Sequence, residues 1–175
     1  MMSSKLAIII GPSGVGKTTL AKGIEEKCKN WKCLDLDDLA VASQEEHAKA
    51  SALFSKIGAD KFLKICFKEL KKTIKGNPGD YIAVVGAGCL ESSCAICELN
   101  KYKKNIVLIT ACEKEAYDRI LKRTGETRSI GQYRASEFSD KRKKIYALAG
   151  GNVVDTTGIK KNESIEKLQE ILKKL

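Results

Sequence analysis

The chain has 175 residues, of which 43% are hydrophobic and 31% charged, and its 32 Lys and Arg exceed its 22 Asp and Glu. This composition excludes a disordered or fibrous chain, and the length suits one ordinary domain with a sizeable core. The formal charge of +10 favours anionic partners such as phosphates, nucleotides or nucleic acid, although lysines scattered over solvated helix faces would give the same excess.

Short apolar runs alternate with segments of helical periodicity along the chain. We predict strands at Leu6–Ile10, Cys33–Leu36, Tyr81–Val85, Ile106–Thr110 and Val153–Asp155. Predicted helices occupy residues 17–28, 44–56, 60–75, 113–123, 136–149 and about 165–175. This alternation requires crossover connections, so we predict one α/β domain over residues 1–175, with three α/β/α layers and a five-stranded, mainly parallel sheet. Ligands then bind at the carboxyl ends of the strands.

Two features bear on where the protein works and on the second helix. The first apolar run, Leu6–Ile10, is too short for a signal peptide or a membrane span, and seven cysteines suit a reducing compartment. We therefore expect a cytoplasmic protein with no membrane anchor, and a monomer.

Ser43 and Glu46 form a predicted capping box, and the lone histidine, His47, is expected at the surface.

A phosphate-binding loop follows the first strand. Residues 11–18 read Gly-Pro-Ser-Gly-Val-Gly-Lys-Thr and fit the P-loop pattern G-x-x-x-x-G-K-[ST] in full. Lys17 can reach the β- and γ-phosphates, and the Thr18 hydroxyl can bind Mg²⁺. Since no guanine-reading motif stands out, we predict a MgATP site in a P-loop NTPase fold. The predicted nucleotide contacts are Gly11, Ser13, Gly14, Val15, Gly16, Lys17, Thr18 and Thr19.

Two carboxylates, Asp35 and Asp37, stand at the end of the second strand, close to the predicted loop. A carboxylate there can hold Mg²⁺ through water or take the proton of an attacking hydroxyl. The third strand ends without an acidic residue, so we assign Asp35 to the metal with Thr18. Both aspartates are assigned to catalysis, and Asp37 also to the acceptor. The alternative is that Asp37 or Asp38 only caps the next helix.

The third strand runs into Gly86-Ala87-Gly88. Near-adjacent glycines at a strand end permit close approach of a backbone to a ligand, and they also suit a simple tight turn. We assign the three residues to acceptor binding.

Basic residues crowd between positions 119 and 144, and residues 125–133 have a turn-like composition. We predict a mobile lid around residues 124–135, in which Arg128 joins Lys17 in stabilising the transferring phosphoryl group. A solvated basic helix face is the alternative. Cys94 and Cys97 form one C-x-x-C at a predicted helix start, with either a metal or redox role or ordinary packing.

These residues resemble the motifs of the shikimate kinase family of P-loop kinases over nearly the whole chain. In that family a D-x-D follows strand two, a glycine triplet contacts the substrate, and a lid arginine precedes an arginine four residues before a tyrosine. A short strand then ends in Asp-Thr. The matching positions are Asp35 and Asp37, Gly86-Ala87-Gly88 with one residue of the triplet altered, Arg128 without the proline that follows it in the family, Arg142 with Tyr146, and Val153–Thr156. The resemblance implies ATP, Mg²⁺ and a small-molecule hydroxyl acceptor contacted by Arg142.

One departure concerns the acceptor. The family carries Phe-Arg-x-x-Glu on the helix before strand three, and its arginine holds the substrate carboxylate, whereas residues 62–66 read Phe-Leu-Lys-Ile-Cys. Leu63 cannot make a bidentate contact with a carboxylate. The sequence therefore predicts an ATP-dependent small-molecule kinase whose acceptor need not be shikimate.

Two other functions fit the same fold. A nucleoside, nucleotide or polynucleotide 5′ end as acceptor suits the net charge, but aromatic residues make up only 6% of the chain and offer few stacking platforms. A non-catalytic, ATP-binding regulatory module suits the altered acceptor helix.

Overall fold

Five strands form one parallel sheet in a computed structural model that describes residues 5–44, 49–125 and 127–175. The strands are β1 (Leu6–Ile10), β2 (Trp31–Asp35), β3 (Asp80–Val84), β4 (Ile106–Thr110) and β5 (Val153–Asp155). Their order across the sheet is β2-β3-β1-β4-β5, and every neighbouring pair is parallel. The predicted α/β class and parallel sheet are confirmed. Because all strands run the same way, their carboxyl ends meet at one edge.

Helices cover both faces of this sheet. They are α1 (Lys17–Lys27), α2 (Leu36–Ala42), α3 (Ala50–Ile57), α4 (Ala59–Gly76), α5 (Ala95–Asn100), α6 (Glu113–Thr124), α7 (Ile130–Glu137), α8 (Asp140–Tyr146) and α9 (Lys161–Lys174). Short 3₁₀ turns occupy Ala87–Glu91, Lys103–Asn105 and Ala147–Ala149. Within the described ranges, none of these helices is both long and apolar enough to cross a membrane.

Alternate side chains of the strands enter two apolar cores, one on each face of the sheet. Ile8 and Ala83 pack on one face with α2, α4 and α8, whereas Ile9 and Val84 pack on the other with α1, α6 and α9. All four side chains are buried. A sheet covered on both faces explains why its strands read as continuous apolar runs rather than as alternating patterns.

The helix after β2 was not predicted, because Leu36 extends the apolar run and was assigned to the strand. The Asp35 carboxylate accepts a hydrogen bond from the Asp37 N–H at 3.1 Å, and this cap ends the strand and begins α2. Ser43, predicted as an N-cap, ends α2 instead. The other member of the predicted capping box, Glu46, and His47 lie outside the described residues.

The segment after α6 also differs from the prediction. The turn-like stretch ends early, because the Ser129 side chain accepts from the Gln132 N–H and the Gln132 side chain accepts from the Ser129 N–H. This capping box begins α7 at Ile130, and a second cap at Ser139 separates α7 from α8. The one helix predicted over 136–149 is therefore two, and the mobility of the lid remains a prediction.

Candidate active site

The loop between β1 and α1 owes its path to its glycines. Gly14 and Gly16 have φ angles of 84° and 97°, in the left-handed region that favours glycine. At Gly14 a Cβ atom would lie 2.2 Å from the Ala116 carbonyl oxygen, and at Gly11 it would lie 2.0 Å from that of Ile109. Only glycine fits at Gly11 and Gly14, because the neighbouring atoms belong to the backbone.

Lys17 lies folded over this loop. Its Nζ atom donates to the carbonyl oxygens of Gly11 and Pro12, each at 2.9 Å. Burial lowers the pKa of Lys17 to about 8, although Glu137, Asp37 and Asp35 act in the opposite direction. A half-buried ammonium group with a lowered pKa is stabilised by any anion that enters beside it.

The predicted metal ligands lie side by side. The Thr18 hydroxyl donates to Asp35 Oδ2 at 3.2 Å. Oxygens bound next to each other on an octahedral Mg²⁺, each about 2.1 Å from the ion, are roughly 3.0 Å apart. Thr18 and Asp35 therefore fit the ion that the sequence predicts, with Asp35 both capping α2 and facing the loop.

Asp37 lies in the first turn of α2 and not at the end of the second strand, where we predicted it. Burial and the neighbouring Asp35 raise the pKa of Asp37 to about 6, against the opposing effect of Lys17. A carboxylate with this pKa is ionised at neutral pH and can still accept a proton from a hydroxyl. Asp37 is thus suited to general-base work.

The surroundings of Gly86 show which of the two predicted roles, a close approach or a simple tight turn, applies to this glycine. Its φ of −61° is open to any residue, but a Cβ atom there would lie 2.3 Å from both Asp37 carboxylate oxygens. Gly86 therefore makes room for Asp37. Gly88 is not restricted in this way, since a Cβ atom there would make an ordinary contact of 3.4 Å with the Phe54 ring.

One cavity of about 360 Å³ joins the predicted nucleotide and acceptor residues, and we call it the carboxylate cavity. It lies at the carboxyl ends of β1, β2 and β3. Its walls are Ser13, Gly14, Gly16, Lys17, Thr18, Thr19, Asp35, Asp37, Val84, Gly86, Ala87, Gly88 and Arg123.

A second cavity of about 380 Å³, the outer cavity, lies on the other side of the loop and shares Gly14, Gly16, Thr19 and Arg123 with the first. Val15, Leu20 and Ile159 give it apolar walls, and Arg119 and Thr156 line it as well. Thr156, which follows β5, accepts from Arg119 at 2.9 Å and donates to the Val15 carbonyl at 3.2 Å. An apolar slot with an arginine beside a phosphate loop suits a nucleoside base.

A buried carboxylate, Glu137, sits against the loop. It is 3% exposed and accepts from the Ser13 N–H at 3.0 Å and the Ser13 hydroxyl at 3.1 Å. Tyr133 also holds Ser13 in place, since the Tyr133 hydroxyl donates to the Ser13 carbonyl at 2.5 Å. The Ser13 amide, predicted to face the nucleotide, thus donates to Glu137.

The two predicted arginines belong to this group rather than to the cavity wall. Arg142 donates to Glu137 at 2.6 Å and, through Nε, to Glu91 at 2.9 Å. Burial lowers the pKa of Arg142, but Glu137 and Glu91 outweigh it and hold that pKa above its usual value. Arg128 donates to Ser136 at 2.9 Å and lies 3.5 Å from Glu137. We call Ser13, Glu91, Arg128, Glu137 and Arg142 the Glu137 cluster.

The helix that carries the family's acceptor arginine contributes no cation at the matching position. Phe62 and Leu63 are 2% and 1% exposed and both pack in the core. Cys94 caps α5 and Cys97 is exposed, so the predicted C-x-x-C does place its first cysteine at a helix start.

Sequence reasoning missed two residues of the site. Glu137 carries no motif, and a carboxylate on a polar helix usually faces solvent, so only its contacts with Ser13 and Arg142 reveal it. Arg123 was counted in the basic stretch without a role, yet it lines both cavities. Its place at the end of α6, directly before the predicted lid, is the signal that could have singled it out.

A parallel sheet with a P-loop after β1 and carboxylates after β2 defines a P-loop kinase fold. A sequence profile of the family "SKI: Shikimate kinase" matches residues 13–173. The chain therefore belongs to the shikimate kinase family, which is a family of small-molecule kinases.

Solved structures agree on the fold. Shikimate kinase from Bacteroides thetaiotaomicron is 19% identical, with a TM-score of 0.73 over 98% of this chain and 99% of that one. Shikimate kinase from Acinetobacter baumannii, solved with shikimate, is 15% identical, with a TM-score of 0.73 over 98% and 94%. A gluconokinase from Sinorhizobium meliloti is 12% identical, with a TM-score of 0.60 over 98% and 92%. No curated protein sequence matches the chain.

Proposed function

We propose that this protein transfers the γ-phosphoryl group of MgATP to a hydroxyl of a small molecule bound in the carboxylate cavity. The observation that carries the proposal is that this one cavity is lined by Lys17, Thr18, Asp35, Asp37 and Gly86. A phosphate loop and a candidate base facing the same space are what in-line transfer to a bound hydroxyl requires.

The nucleotide half of the cavity has a cation and a metal site. The loop amides and the N-terminus of α1 would hold the β-phosphate, and Lys17 would leave the carbonyls of Gly11 and Pro12 for the γ-phosphate. Thr18 and Asp35 would hold Mg²⁺, which when bound neutralises charge on the phosphate oxygens. The base of ATP would occupy the outer cavity beside Arg119 and Arg123.

The acceptor half presents a base. Asp37 would accept the proton of the attacking hydroxyl, and the backbone of residues 86–88 would contact the acceptor closely because it has few side-chain atoms. The pKa of about 6 keeps Asp37 ionised at pH 7. Transfer of the phosphoryl group then forms a phosphate ester and ADP, with the hydroxyl proton left on Asp37.

The chemistry of the acceptor is inferred from two arginine contacts that the family pattern implies and that this site does not offer. Leu63 replaces the arginine of the family pattern, and Arg142 already contacts two carboxylates, Glu91 and Glu137. A substrate carboxylate would find neither of the expected arginine contacts, whereas neutral hydroxyls can donate to Asp37 and the strand-end carbonyls. We therefore propose a neutral polyhydroxy compound as the acceptor.

The test is ADP release from MgATP with a panel of acceptors: neutral polyols, shikimate and other hydroxy acids, nucleosides, nucleotides and a 5′-hydroxyl oligonucleotide. Lys17→Ala is the inactive variant, and Lys22→Ala, an exposed lysine on the same helix, is its matched control. Release that depends on a polyol and is lost only in Lys17→Ala supports the proposal. Release with nucleotides alone favours a nucleotide kinase, and ATP binding without turnover favours a regulatory module.

A further inference from the structure

Two thiols and a carboxylate meet beneath the carboxylate cavity. Cys66 lies on α4, Cys89 on the 3₁₀ turn Ala87–Glu91, and Asp37 on α2. Cys66 Sγ is 3.7 Å from Cys89 Sγ, which is 3.9 Å from Asp37 Oδ1. One ligand atom from each of the three residues lies within 4.8 Å of the others, and both cysteines are fully buried.

These distances match those around a tetrahedral zinc ion. Zn–S bonds of about 2.3 Å at a tetrahedral angle place two sulfur atoms about 3.8 Å apart, and a Zn–O bond of about 2.0 Å places the oxygen about 3.5 Å from each sulfur. The observed sulfur pair fits without movement. The separation of Cys89 Sγ and Asp37 Oδ1 is 3.9 Å, and Cys66 Sγ lies within 4.8 Å of an Asp37 carboxylate oxygen, so the carboxylate must rotate towards both sulfur atoms to bind the same ion.

We propose that Asp37, Cys66 and Cys89 form a binding site for a thiophilic divalent cation of the Zn²⁺ class. The fourth position faces the carboxylate cavity, because Asp37 lines that cavity and Cys89 directly follows Gly88 in its wall. The ion enters through the cavity, and water fills the fourth position. Two thiolates select Zn²⁺ over Mg²⁺, which prefers oxygen ligands.

Binding replaces two hydrogen bonds. Cys66 donates its thiol proton to the Leu36 carbonyl at 3.3 Å, and Cys89 donates towards Asp37. Each thiol releases its proton to solvent as its sulfur binds the ion, and the Asp37 carboxylate turns from the thiol to the metal. No oxidation is involved.

The site shares Asp37 with the acceptor. If Asp37 is the base of phosphoryl transfer, a consequence that rests on the proposed function, then a bound Zn²⁺ ion removes that base and blocks transfer. The site thus makes the kinase sensitive to zinc, while MgATP binding at Thr18 and Asp35 continues.

The test uses Co²⁺ as a spectroscopic probe on the metal-free full chain, kept reduced with a phosphine. Thiolate-bound tetrahedral Co²⁺ gives a near-ultraviolet charge-transfer band and visible bands. We expect both in the wild type, saturating at one ion per chain and removed by one equivalent of Zn²⁺. Exposed-cysteine variants Cys97→Ala and Cys112→Ala, as controls, should behave like the wild type.

Cys66→Ala and Cys89→Ala should each halve the charge-transfer band and weaken Co²⁺ binding at least tenfold. Should a buried substitution prevent folding, Asp37→Asn at the cavity wall tests the same site, because it should keep the two-thiolate band and weaken binding. Absence of the bands in the wild type would overturn the proposal. So would bands unchanged in Cys89→Ala.

A second readout separates this proposal from the proposed function. Zn²⁺ should inhibit acceptor-dependent turnover in the wild type, and Cys89→Ala should need at least tenfold more Zn²⁺ for the same inhibition. If the cobalt bands appear but no acceptor is phosphorylated, the metal site stands and the kinase proposal fails. If turnover is seen but the bands are absent, the metal site fails and the kinase proposal stands.

Discussion

The phosphate loop and the proposed acceptor wall, which consists of Asp37 and residues 86–88, face one cavity, yet they differ in what fixes their shape. The loop is fixed by backbone against backbone, since added Cβ atoms at Gly11 and Gly14 would meet the carbonyls of Ile109 and Ala116. The acceptor wall depends on a side chain, because Asp37 fills the space beside Gly86, and outside the wall Glu91 and Glu137 hold Arg142 away from the cavity lining. A site that is shaped by the backbone requires glycines at fixed positions and is therefore visible as a sequence motif. A site that is shaped by side chains can change its specificity by substitution while the fold stays the same.

The largest effect should come from the loop. Lys17→Ala removes the ammonium group that we propose to lie beside the transferring phosphoryl group, and acceptor-dependent ADP release should fall by about 10³-fold, equivalent to about 4 kcal/mol of transition-state stabilisation. Lys22→Ala should retain wild-type turnover. Comparable turnover in Lys17→Ala and Lys22→Ala would place the phosphoryl group somewhere other than this loop.

Leu63→Arg should not create a carboxylate-binding site for the acceptor, because Leu63 packs in the core and does not line the cavity. The side chain is 1% exposed, so a guanidinium there is buried without a partner and should reduce the free energy of unfolding by about 3 kcal/mol. Leu63→Met, of similar volume, should cost about 1 kcal/mol. Urea unfolding compares the two variants. A stable Leu63→Arg protein with new shikimate kinase activity would show that the acceptor wall is less tightly defined than this structure indicates.

Asp37→Asn should lower acceptor-dependent turnover by about 100-fold, since it removes the proposed base. It should leave MgATP binding near the wild-type value, because Thr18 and Asp35 remain. In the wild type, kcat/KM should fall about tenfold per pH unit below the Asp37 pKa of about 6, as the carboxylate becomes protonated. A pH profile with the same acid limb in Asp37→Asn would assign that limb to another group.

The Glu137 cluster should matter for stability. Glu137→Gln leaves the buried Arg142 with Glu91 as its remaining carboxylate and weakens the contact with Ser13, so the free energy of unfolding should fall by about 2 kcal/mol. The exposed Glu170→Gln on α9 is the matched control and should change it by less than about 0.5 kcal/mol. Equal values for the two variants would show that the buried ion pair contributes nothing net.

The smallest effect concerns the stability of Asp37→Asn. Because the pKa of Asp37 is raised above its usual value of 3.8 in the folded state, ionised Asp37 destabilises the fold at pH 8, and this penalty disappears as the pH falls from about 6 to 4. The free energy of unfolding of Asp37→Asn should therefore exceed that of the wild type by about 1–2 kcal/mol at pH 8, and the difference should disappear by pH 4. A constant difference across that range would show that Asp37 ionises as it does in water.

The sequence predicted the sheet and the loop because both depend on local patterns: apolar runs for β1 to β5, and glycine spacing with Lys17 and Thr18 for the loop. It did not predict α2, because this helix begins at a hydrogen bond between the Asp35 carboxylate and the Asp37 N–H, and apolar periodicity gives no sign of such a cap. Nor did it predict Glu137, because burial of a carboxylate is decided by partners distant in the chain, Ser13 and Arg142. The absence of an arginine at position 63 could be seen in the sequence, but the hydrogen bond from Arg142 to Glu91 could not be predicted from it.

The most direct test of the shared cavity follows the γ-phosphate itself. ATP labelled in that phosphate is incubated with a neutral polyol acceptor and the wild type, Lys17→Ala or Asp37→Asn. We expect label in a phosphate ester of the acceptor with the wild type, loss of that label in both variants, and retained MgATP binding in Asp37→Asn. Label found only in inorganic phosphate, or transferred equally fast by Asp37→Asn, would contradict this expectation.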